Sequence, residues 1–403
     1  MNQVGMFELL HDTFKFNKKT ITMFEAFAGI GSQALAFKKD VEGLGSLQQQ
    51  YNFDLNVIGI SEIDKYAIQS YNAVHGETKN FGSICDIDQL PPGVDIFTYS
   101  FPCQDISLAG KGRGLSKGKG TRSGLLWEVE RLIKGENKPK VLLMENVKAL
   151  INEKHRPNFV EWIKELERLG YSNYWKVLNG KDYGIPQNRE RVFMVSVLGE
   201  WNYTFPSELK LDWILLDMLQ DNPKGKYNLL QSSDITAVDE KYFLSDKLIK
   251  FFQENTKKQK ARGNGFKFDS QDGSKVAKAI TTNAGSRMDD NFILMPEATE
   301  KGYVEARNGD GVYINRPHQK RGVVQRNKIP TLKTSGADIG VVVEHDHNLR
   351  IRKLTPRECW RLMGFDDCSF NKATAVVSNS QLYKQAGNSI IVDVLYYIFK
   401  ELF

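Results

Sequence analysis

No apolar stretch in this 403-residue chain approaches the roughly 18 residues that a membrane-spanning helix requires, so that class is excluded. The start, Met1 to Thr20, lacks the basic-then-apolar layout of a secretory signal, and the expected compartment is the cytoplasm. Cysteine is scarce: Cys85, Cys103, Cys359 and Cys368 form no C-x-x-C pair, which argues against both a disulfide framework and a structural zinc site. No metal is expected. Charge of neither sign dominates, and the net +6 is mild for this length, so the clustering of basic residues matters more than their sum. The length itself is too great for one compact core and favours two domains.

What is present is a series of short apolar runs, each ending in a glycine turn, an acid or a cysteine. Ile21–Phe27 leads into Ala28-Gly29-Ile30-Gly31-Ser32 and then a helix-like Gln33–Lys39. Two glycines permit a tight turn and close approach to a ligand, although the third glycine of the dinucleotide fingerprint is missing. Val57–Ile60 is a second strand ending near Glu62, an acid placed to accept hydrogen bonds from a ribose diol. Phe81–Cys85 is read as a third, stopping at Asp86. Val94–Ser100 is the fourth and delivers Phe101-Pro102-Cys103-Gln104, followed by a glycine-rich loop. Lys140–Met144 runs to Glu145-Asn146-Val147, and Val192–Val197 follows Gln187-Asn188-Arg189-Glu190-Arg191. Strands alternating with helical segments predict a doubly wound α/β sheet, whose ligands sit at the carboxyl edge. A single carboxylate at a strand end is usually a solvated loop residue; their recurrence carries the argument.

From Trp201 the alternation fades into lysine-rich, glycine-punctuated sequence, and a second domain poor in long helices is expected over 201–374, after a first over 1–200. Within it two Thr-rich segments, around Thr281 and around Thr331 and Thr334, each break at a glycine. Leu354–Gly364 reads as a helix capped by Thr355, with Pro356 in its first turn and Glu358 completing a capping box. The tail, 375–403, has Gln385-Ala386-Gly387-Asn388-Ser389 opening an apolar helix that returns to the first domain.

These motifs, in this order, resemble the DNA cytosine-5 methyltransferases. The likeness rests on Phe24–Gly31, Ser100–Gln104, Glu145-Asn146-Val147, Gln187–Arg191, Arg352–Cys359 and Gly387-Asn388-Ser389, and covers the chain outside its middle. It implies a Rossmann-like S-adenosylmethionine-binding sheet with a smaller, mostly β or irregular target-recognition domain. It also implies that Cys103 adds as thiolate to carbon 6 of a flipped-out cytosine, and that Glu145 protonates or hydrogen-bonds ring nitrogen 3. Arg191 would hold the ring oxygen, with Arg189 in support. Proline and the strand end hold Cys103 rigidly, and a nearby cation would lower its pKa from about 8.5. For the cofactor, the resemblance implies Phe24 stacking on adenine and Ala28, Gly29 and Gly31 around the methionine part. Glu62 takes the ribose, Asp86 and Ile87 the adenine, and Pro102, Asn388 and Ser389 close the pocket. Ile63 stands where relatives often carry a large aromatic residue. The product is S-adenosylhomocysteine.

A base inside a duplex must be flipped out to be reached. The run Ala109–Arg122, with five basic residues and no acid, resembles a closing loop, and Gln104, Ser107, Lys111, Arg113, Lys117, Lys119 and Arg122 are its candidate DNA contacts. Lys258, Lys260, Arg262, Thr281, Arg287, Arg321, Thr331 and Thr334 are candidates in the middle domain. Double-stranded DNA is the expected partner of a monomer, with a separately encoded restriction endonuclease as a possible companion. The rival readings are a transfer-RNA cytosine-5 methyltransferase of the same fold and a catalytically silent DNA-binding homologue. The long basic stretch between Val197 and Arg350 disfavours the first; the presence of Cys103, Glu145 and Arg191 disfavours the second.

Overall fold

The computed structural model describes residues 12–41, 43, 45–102, 125–220, 238–271, 274, 276–282, 284–295, 311–313, 324–325, 339–341 and 350–403. Residues 103–124, and with them Cys103, Gln104, Ser107, Lys111, Arg113, Lys117, Lys119 and Arg122, lie outside this set. So do Arg321, Thr331 and Thr334.

The first compact unit comprises 1–238, 274–290 and 354–403. Its centre is a six-stranded sheet of β1 (Thr20–Ala26), β2 (Asp54–Ser61), β3 (Ile96–Tyr99), β4 (Val141–Val147), β5 (Tyr171–Asn179) and β7 (Glu190–Leu198), in the order β2-β1-β3-β4-β7-β5. The first four strands are parallel, and β7 runs antiparallel between β4 and β5. β3 is buried along its whole length because it is paired on both edges and covered on both faces, which is why it reads as an unbroken run rather than an alternation. One face presents Phe24, Phe97, Tyr99, Leu142, Met144, Val192 and Met194 to helices α4 (Leu126–Ile133) and α5 (Arg156–Arg168), where Trp162 Nε1 donates to Tyr99 Oη at 3.1 Å.

The opposite face, with Glu25 and its register neighbour Thr98, is covered by α1 (Ser32–Lys38) and α10 (Val392–Lys400); Phe37 and Phe399 stack at 4.3 Å. The returning tail therefore joins this sheet. α2 (Leu47–Tyr51) and α3 (Lys65–His75) flank β2, α3 starting at Asp64, whose carboxylate caps Tyr66 and Ala67.

Several expectations are corrected. The third run, Phe81–Cys85, forms no strand: a one-residue bridge of Ile60 with Asn80 precedes it, and it ends in a tight 3-10 turn over Ile84–Asp86. β5 was not expected, although Tyr171, Trp175, Val177 and Leu178 give it a strand-forming composition. Gln385–Asn388 close α9 (Asn379–Asn388) rather than open the last helix, which begins only at Val392. The expected second-domain span of 201–374 also differs from the compact units. Segment 201–238 joins the first unit: Leu209 N–H donates to Asp182 O and Tyr203 Oη to Ile398 O, both at 2.9 Å. The segment 274–290 belongs there because β9 (Ala277–Lys278) pairs with β6 (Gln187–Asn188). α7 (Pro356–Arg361) and α8 (Asp367–Thr374) follow, with Arg361 bonded to Met218 O and to both carboxylate oxygens of Asp367. The capping box of Thr355 and Glu358 forms as expected.

Among its described residues the second unit, 239–273 and 291–353, contains two three-stranded sheets. β8 (Ser270–Gln271), β10 (Phe292–Met295) and β14 (Arg350–Lys353) make one; β11 (Gly311–Tyr313), β12 (Val324–Gln325) and β13 (Ile339–Val341) make the other. Among its described residues this unit has one long helix, α6 (Asp246–Ala261), which spans 16 residues and is capped by Ser245. Its one buried residue, Phe252, packs against Phe268 and Phe292, while its polar sequence conceals the helix from a reading based on apolar periodicity.

Candidate active site

A cavity of about 310 Å³ opens where β1, β2, β3 and β4 end, the carboxyl edge of the sheet. Phe27–Ile30 form its floor. Phe27, Gly29 and Gly31 all have positive φ (56°, 57° and 79°), so the chain reverses between β1 and α1 within five residues. A Cβ on Gly29 would meet nothing within 4 Å, whereas one on Gly31 would fall 2.3 Å from His75 Nε2. The first glycine leaves the cavity open, and the second permits close packing behind it.

Glu62 stands at the end of β2 and links the walls. Its Oε2 accepts from Gly29 N–H at 2.9 Å, and its Oε1 from the N–H groups of Ile63 and Asp64, both at 2.8 Å. Asp64 pairs with Lys384 at 2.6 Å, tying α3 to α9 across the cavity mouth. Gln385 donates to Tyr66 O and Ser70 Oγ, and Ser389 Oγ donates to Gln385 O, so the α9 side is anchored by residues more than 300 positions away.

The other end of the cavity is more highly charged. Glu145 and Arg191 sit on adjacent antiparallel strands, where Val147 opposes Arg191 and Glu145 opposes Phe193. They are therefore diagonal neighbours on one face, and Arg191 Nε reaches Glu145 Oε1 at 3.1 Å. Burial raises the Glu145 carboxyl above the usual range; Arg191, then Arg189 and a hydrogen bond with Ser100, oppose that rise. Asn146 also lines the cavity, and its Nδ2 donates to Phe101 O at 3.0 Å, fixing the backbone just before Pro102. Arg189 is buried and donates to Ile280 O, Gly387 O and Ser389 O, each at 2.9 Å. It braces three segments around the cavity.

The expected site residues are mostly brought together here. Ala28, Gly29, Glu62, Pro102, Glu145, Arg189, Arg191, Asn388 and Ser389 line the cavity. Phe24 does not. It is fully buried, with its ring against Phe81 and Phe97, because strand alternation sends it into the α4/α5 core. Phe27 lines the cavity instead. Asp86 and Ile87 are likewise absent from the lining: Asp86 is exposed and Ile87 is core, while the 3-10 turn presents Gly82, Ser83 and Ile84. Ile63 lines the mouth and is 76% exposed.

Thr281 and Arg287 fall in the first unit. Thr281 lies against Gly387, where an added Cβ would be 2.4 Å from the Thr281 carbonyl carbon; the Thr281 Oγ1 is buried with no hydrogen-bond partner among the described residues. Arg287 pairs with Asp289 at 3.3 Å. Lys258, Lys260 and Arg262 are exposed at the end of α6 in the second unit. Gln187, part of the Gln187–Arg191 motif but given no role from sequence, is fully buried; it donates to Leu362 O at 2.6 Å and accepts from Ile280 N–H at 2.9 Å. Among the described residues there is no cluster of His, Cys, Asp and Glu able to hold a metal ion, and no helix long and apolar enough to cross a membrane.

An open α/β sheet with a glycine turn and an acid at adjacent strand ends is the architecture of a protein that binds a nucleoside-bearing ligand at its carboxyl edge. The chain matches the family model described as C-5 cytosine-specific DNA methylase over residues 21–403. It is 33% identical to the type II methyltransferase M2.ScrFI of Lactococcus lactis subsp. cremoris, over 95% of this chain and 99% of that protein. It is 31% identical to the orphan methyltransferase M.SPRI of Bacillus phage SPR, over 95% and 97% respectively. The chain thus belongs to the C-5 cytosine-specific DNA methylase family and is a DNA cytosine-5 methyltransferase. Solved structures agree in fold: the Entamoeba histolytica methyltransferase EhMeth superposes with a TM-score of 0.64 at 16% identity, covering 96% of this chain and 98% of that one. S. pombe Dnmt2 does so with 0.59 at 17%, covering 95% and 98%.

Proposed function

We propose that this enzyme methylates carbon 5 of a cytosine flipped out of a specific double-stranded DNA sequence, through a covalent bond between Cys103 and carbon 6. The observation that carries the reading is the pair of buried Glu145 and half-buried Arg191 at one end of a cavity whose other end is built from the glycine turn and Glu62. The residues suit S-adenosylmethionine: Phe27 and Ile84 offer apolar surface, Glu62 an acceptor for hydroxyl groups, and Gly29 an open approach. When bound, that cofactor supplies an electrophilic methyl group.

The rest is the work of the chain's own side chains. Thiolate addition at carbon 6 pushes electrons into the ring, which a proton or hydrogen bond from Glu145 to ring nitrogen 3 accommodates. A carboxyl group whose pKa is raised by burial retains such a proton nearer neutrality. Arg191 is always charged and forks its donors, which suits the ring oxygen as well as Glu145. Arg189 is a positioning residue, its guanidinium being engaged by three carbonyls. Loss of the carbon 5 proton then lets the Cys103 sulfur leave. The basic run around Lys111–Arg122 and the exposed Lys258, Lys260 and Arg262 are proposed as phosphate contacts, and Thr281 as a contact near the flipped base. Arg287, Arg321, Thr331 and Thr334 remain proposed DNA contacts, and 239–273 with 291–353 the proposed target-recognition domain. The enzyme is proposed to act as a monomer.

Duplex DNA with 5-fluorocytosine at the target position tests the proposal. Methyl transfer proceeds but fluorine cannot leave as a cation, so the strand stays attached to Cys103 and is found on the Phe101-Pro102-Cys103-Gln104 peptide. Trapping with RNA but not duplex DNA, or no adduct despite tight DNA binding, would refute it.

A further inference from the structure

Behind the cofactor turn lies a buried polar cluster that no step above uses. Glu25, on β1 two residues before Phe27, is fully buried on the face covered by α1. Its Oε1 accepts the Ala34 N–H of the first turn of α1 at 3.2 Å, and its Oε2 accepts the hydroxyl of Tyr71 on α3. The Tyr71 ring packs 4.6 Å from that of His75, one turn further along α3. The His75 Nε2 lies 3.1 Å from Ile30 O, and both rings fill the space that a Cβ on Gly31 would need. A relay of contacts therefore runs from Glu25 through Tyr71 and His75 to the Ile30-Gly31 peptide. Ile30 lines the cavity; Glu25, Tyr71 and His75 do not.

We propose that Glu25 is a positioning residue for the cofactor turn, so that cofactor affinity, rather than the methyl-transfer step, depends on its carboxylate being ionised. The inference rests on the reading of the cavity as the S-adenosylmethionine site. Both Glu25 oxygens act as acceptors toward donors that face them. A proton on Oε1 sets two hydrogens against each other and breaks the Ala34 bond, freeing the α1 side of the turn. A proton on Oε2 reverses the Tyr71 bond, making Tyr71 Oη the acceptor and turning its buried hydrogen away from the carboxyl, which disturbs the α3 side.

The group titrates in a relevant range. Burial raises its pKa to about 7, against the opposing effects of Tyr71, Ala34 N–H and the Lys38 charge on α1. The neighbours do not switch there. Burial, then Lys38 on α1, lowers His75 to about 4, with a smaller effect from Lys372 on α8, so His75 is neutral across this window. Burial and the Glu25 charge push Tyr71 far upward.

Isothermal titration of the full-length protein with S-adenosylhomocysteine across pH tests this without involving Cys103. If only the ionised form binds well, the wild-type Kd should tighten about tenfold between about pH 6 and about pH 8.5. In Glu25→Gln that slope should vanish, with affinity at the higher pH about tenfold weaker, while kcat at saturating cofactor stays within about twofold. Tyr71→Phe, which removes one bond to the carboxylate, should move the midpoint to higher pH and serves alone if Glu25→Gln does not fold. A wild-type slope in Glu25→Gln, an unshifted midpoint in Tyr71→Phe, or a kcat that falls while Kd holds would overturn the assignment. A wild-type protein that binds no S-adenosylhomocysteine at any pH would overturn the cofactor reading itself, whereas normal binding without the Glu25-dependent slope overturns only this inference.

Discussion

Gly387→Ala is the substitution whose sign the structure reverses. Gly387 lies within α9, and in an isolated helix replacing glycine by alanine stabilises by roughly 1 kcal/mol. Here the added Cβ would sit 2.3 Å from Thr282 N and 2.4 Å from the Thr281 carbonyl carbon, both backbone atoms that cannot swing aside. Segment 281–282 is itself held, since Ile280 is bonded through its N–H to Gln187 and through its carbonyl to Arg189. Separation by an ångström or more would have to lengthen the Arg189 bonds to Gly387 O and Ser389 O or to Ile280 O. Overpacking of this kind costs about 1–3 kcal/mol, and each weakened bond to a charged group adds about 1.5 kcal/mol. Against the helix gain, the net is a destabilisation of about 2–4 kcal/mol. Urea unfolding should show a lower midpoint at unchanged slope, and S-adenosylhomocysteine binding should weaken because Gly387 and Ser389 both line the cavity. A variant as stable as wild type with unchanged affinity would refute the close packing of α9 on 281–282.

Three further outcomes are expected. Phe24→Ala should destabilise by about 3–5 kcal/mol as a core truncation, whereas Phe27→Ala should leave stability within about 1 kcal/mol and weaken cofactor binding; equal effects in unfolding and titration experiments would contradict the placement of the two rings. Glu25 has a folded pKa raised from 4.5 to about 7, so it binds more protons folded than unfolded. Its stabilisation is fully present below about pH 4.5 and is lost as pH rises through about 7, so the wild-type minus Glu25→Gln stability difference should fall by roughly 3 kcal/mol across that window in paired urea titrations. Replacing Lys111, Arg113, Lys117 and Lys119 together by glutamine should slow turnover and flatten the salt dependence of DNA binding without changing the methylated sequence, as bisulfite sequencing would show; a shifted site would mean that this run reads bases.

Much of the site follows from sequence because its chemistry sits at strand ends, and strands announce themselves over a few adjacent residues. The runs before Gly29, Glu62, Pro102 and Glu145 need only local apolar composition to be found, and the right-handed winding of an α/β sheet then places their ends at one edge. The Thr355–Glu358 capping box is similarly local and forms as read. What tertiary structure alone decided depends on backbone turns of a few residues and on contacts between distant ones. Phe24 and Phe27 are equivalent in composition, and only the register of β1 and the left-handed backbone at Phe27 send one wholly into the core and leave the other at its margin, partly buried and lining the cavity. Asp86 looks like a strand-end acid until the 3-10 turn over Ile84–Asp86 leaves it exposed and brings Ser83 to the wall. Gln187, Lys384 and Gly387 act on partners between 93 and 320 residues away, through bonds and packing that no local periodicity encodes. Burial set the Glu25 carboxyl near neutrality, and burial belongs to the folded chain rather than to any residue within it.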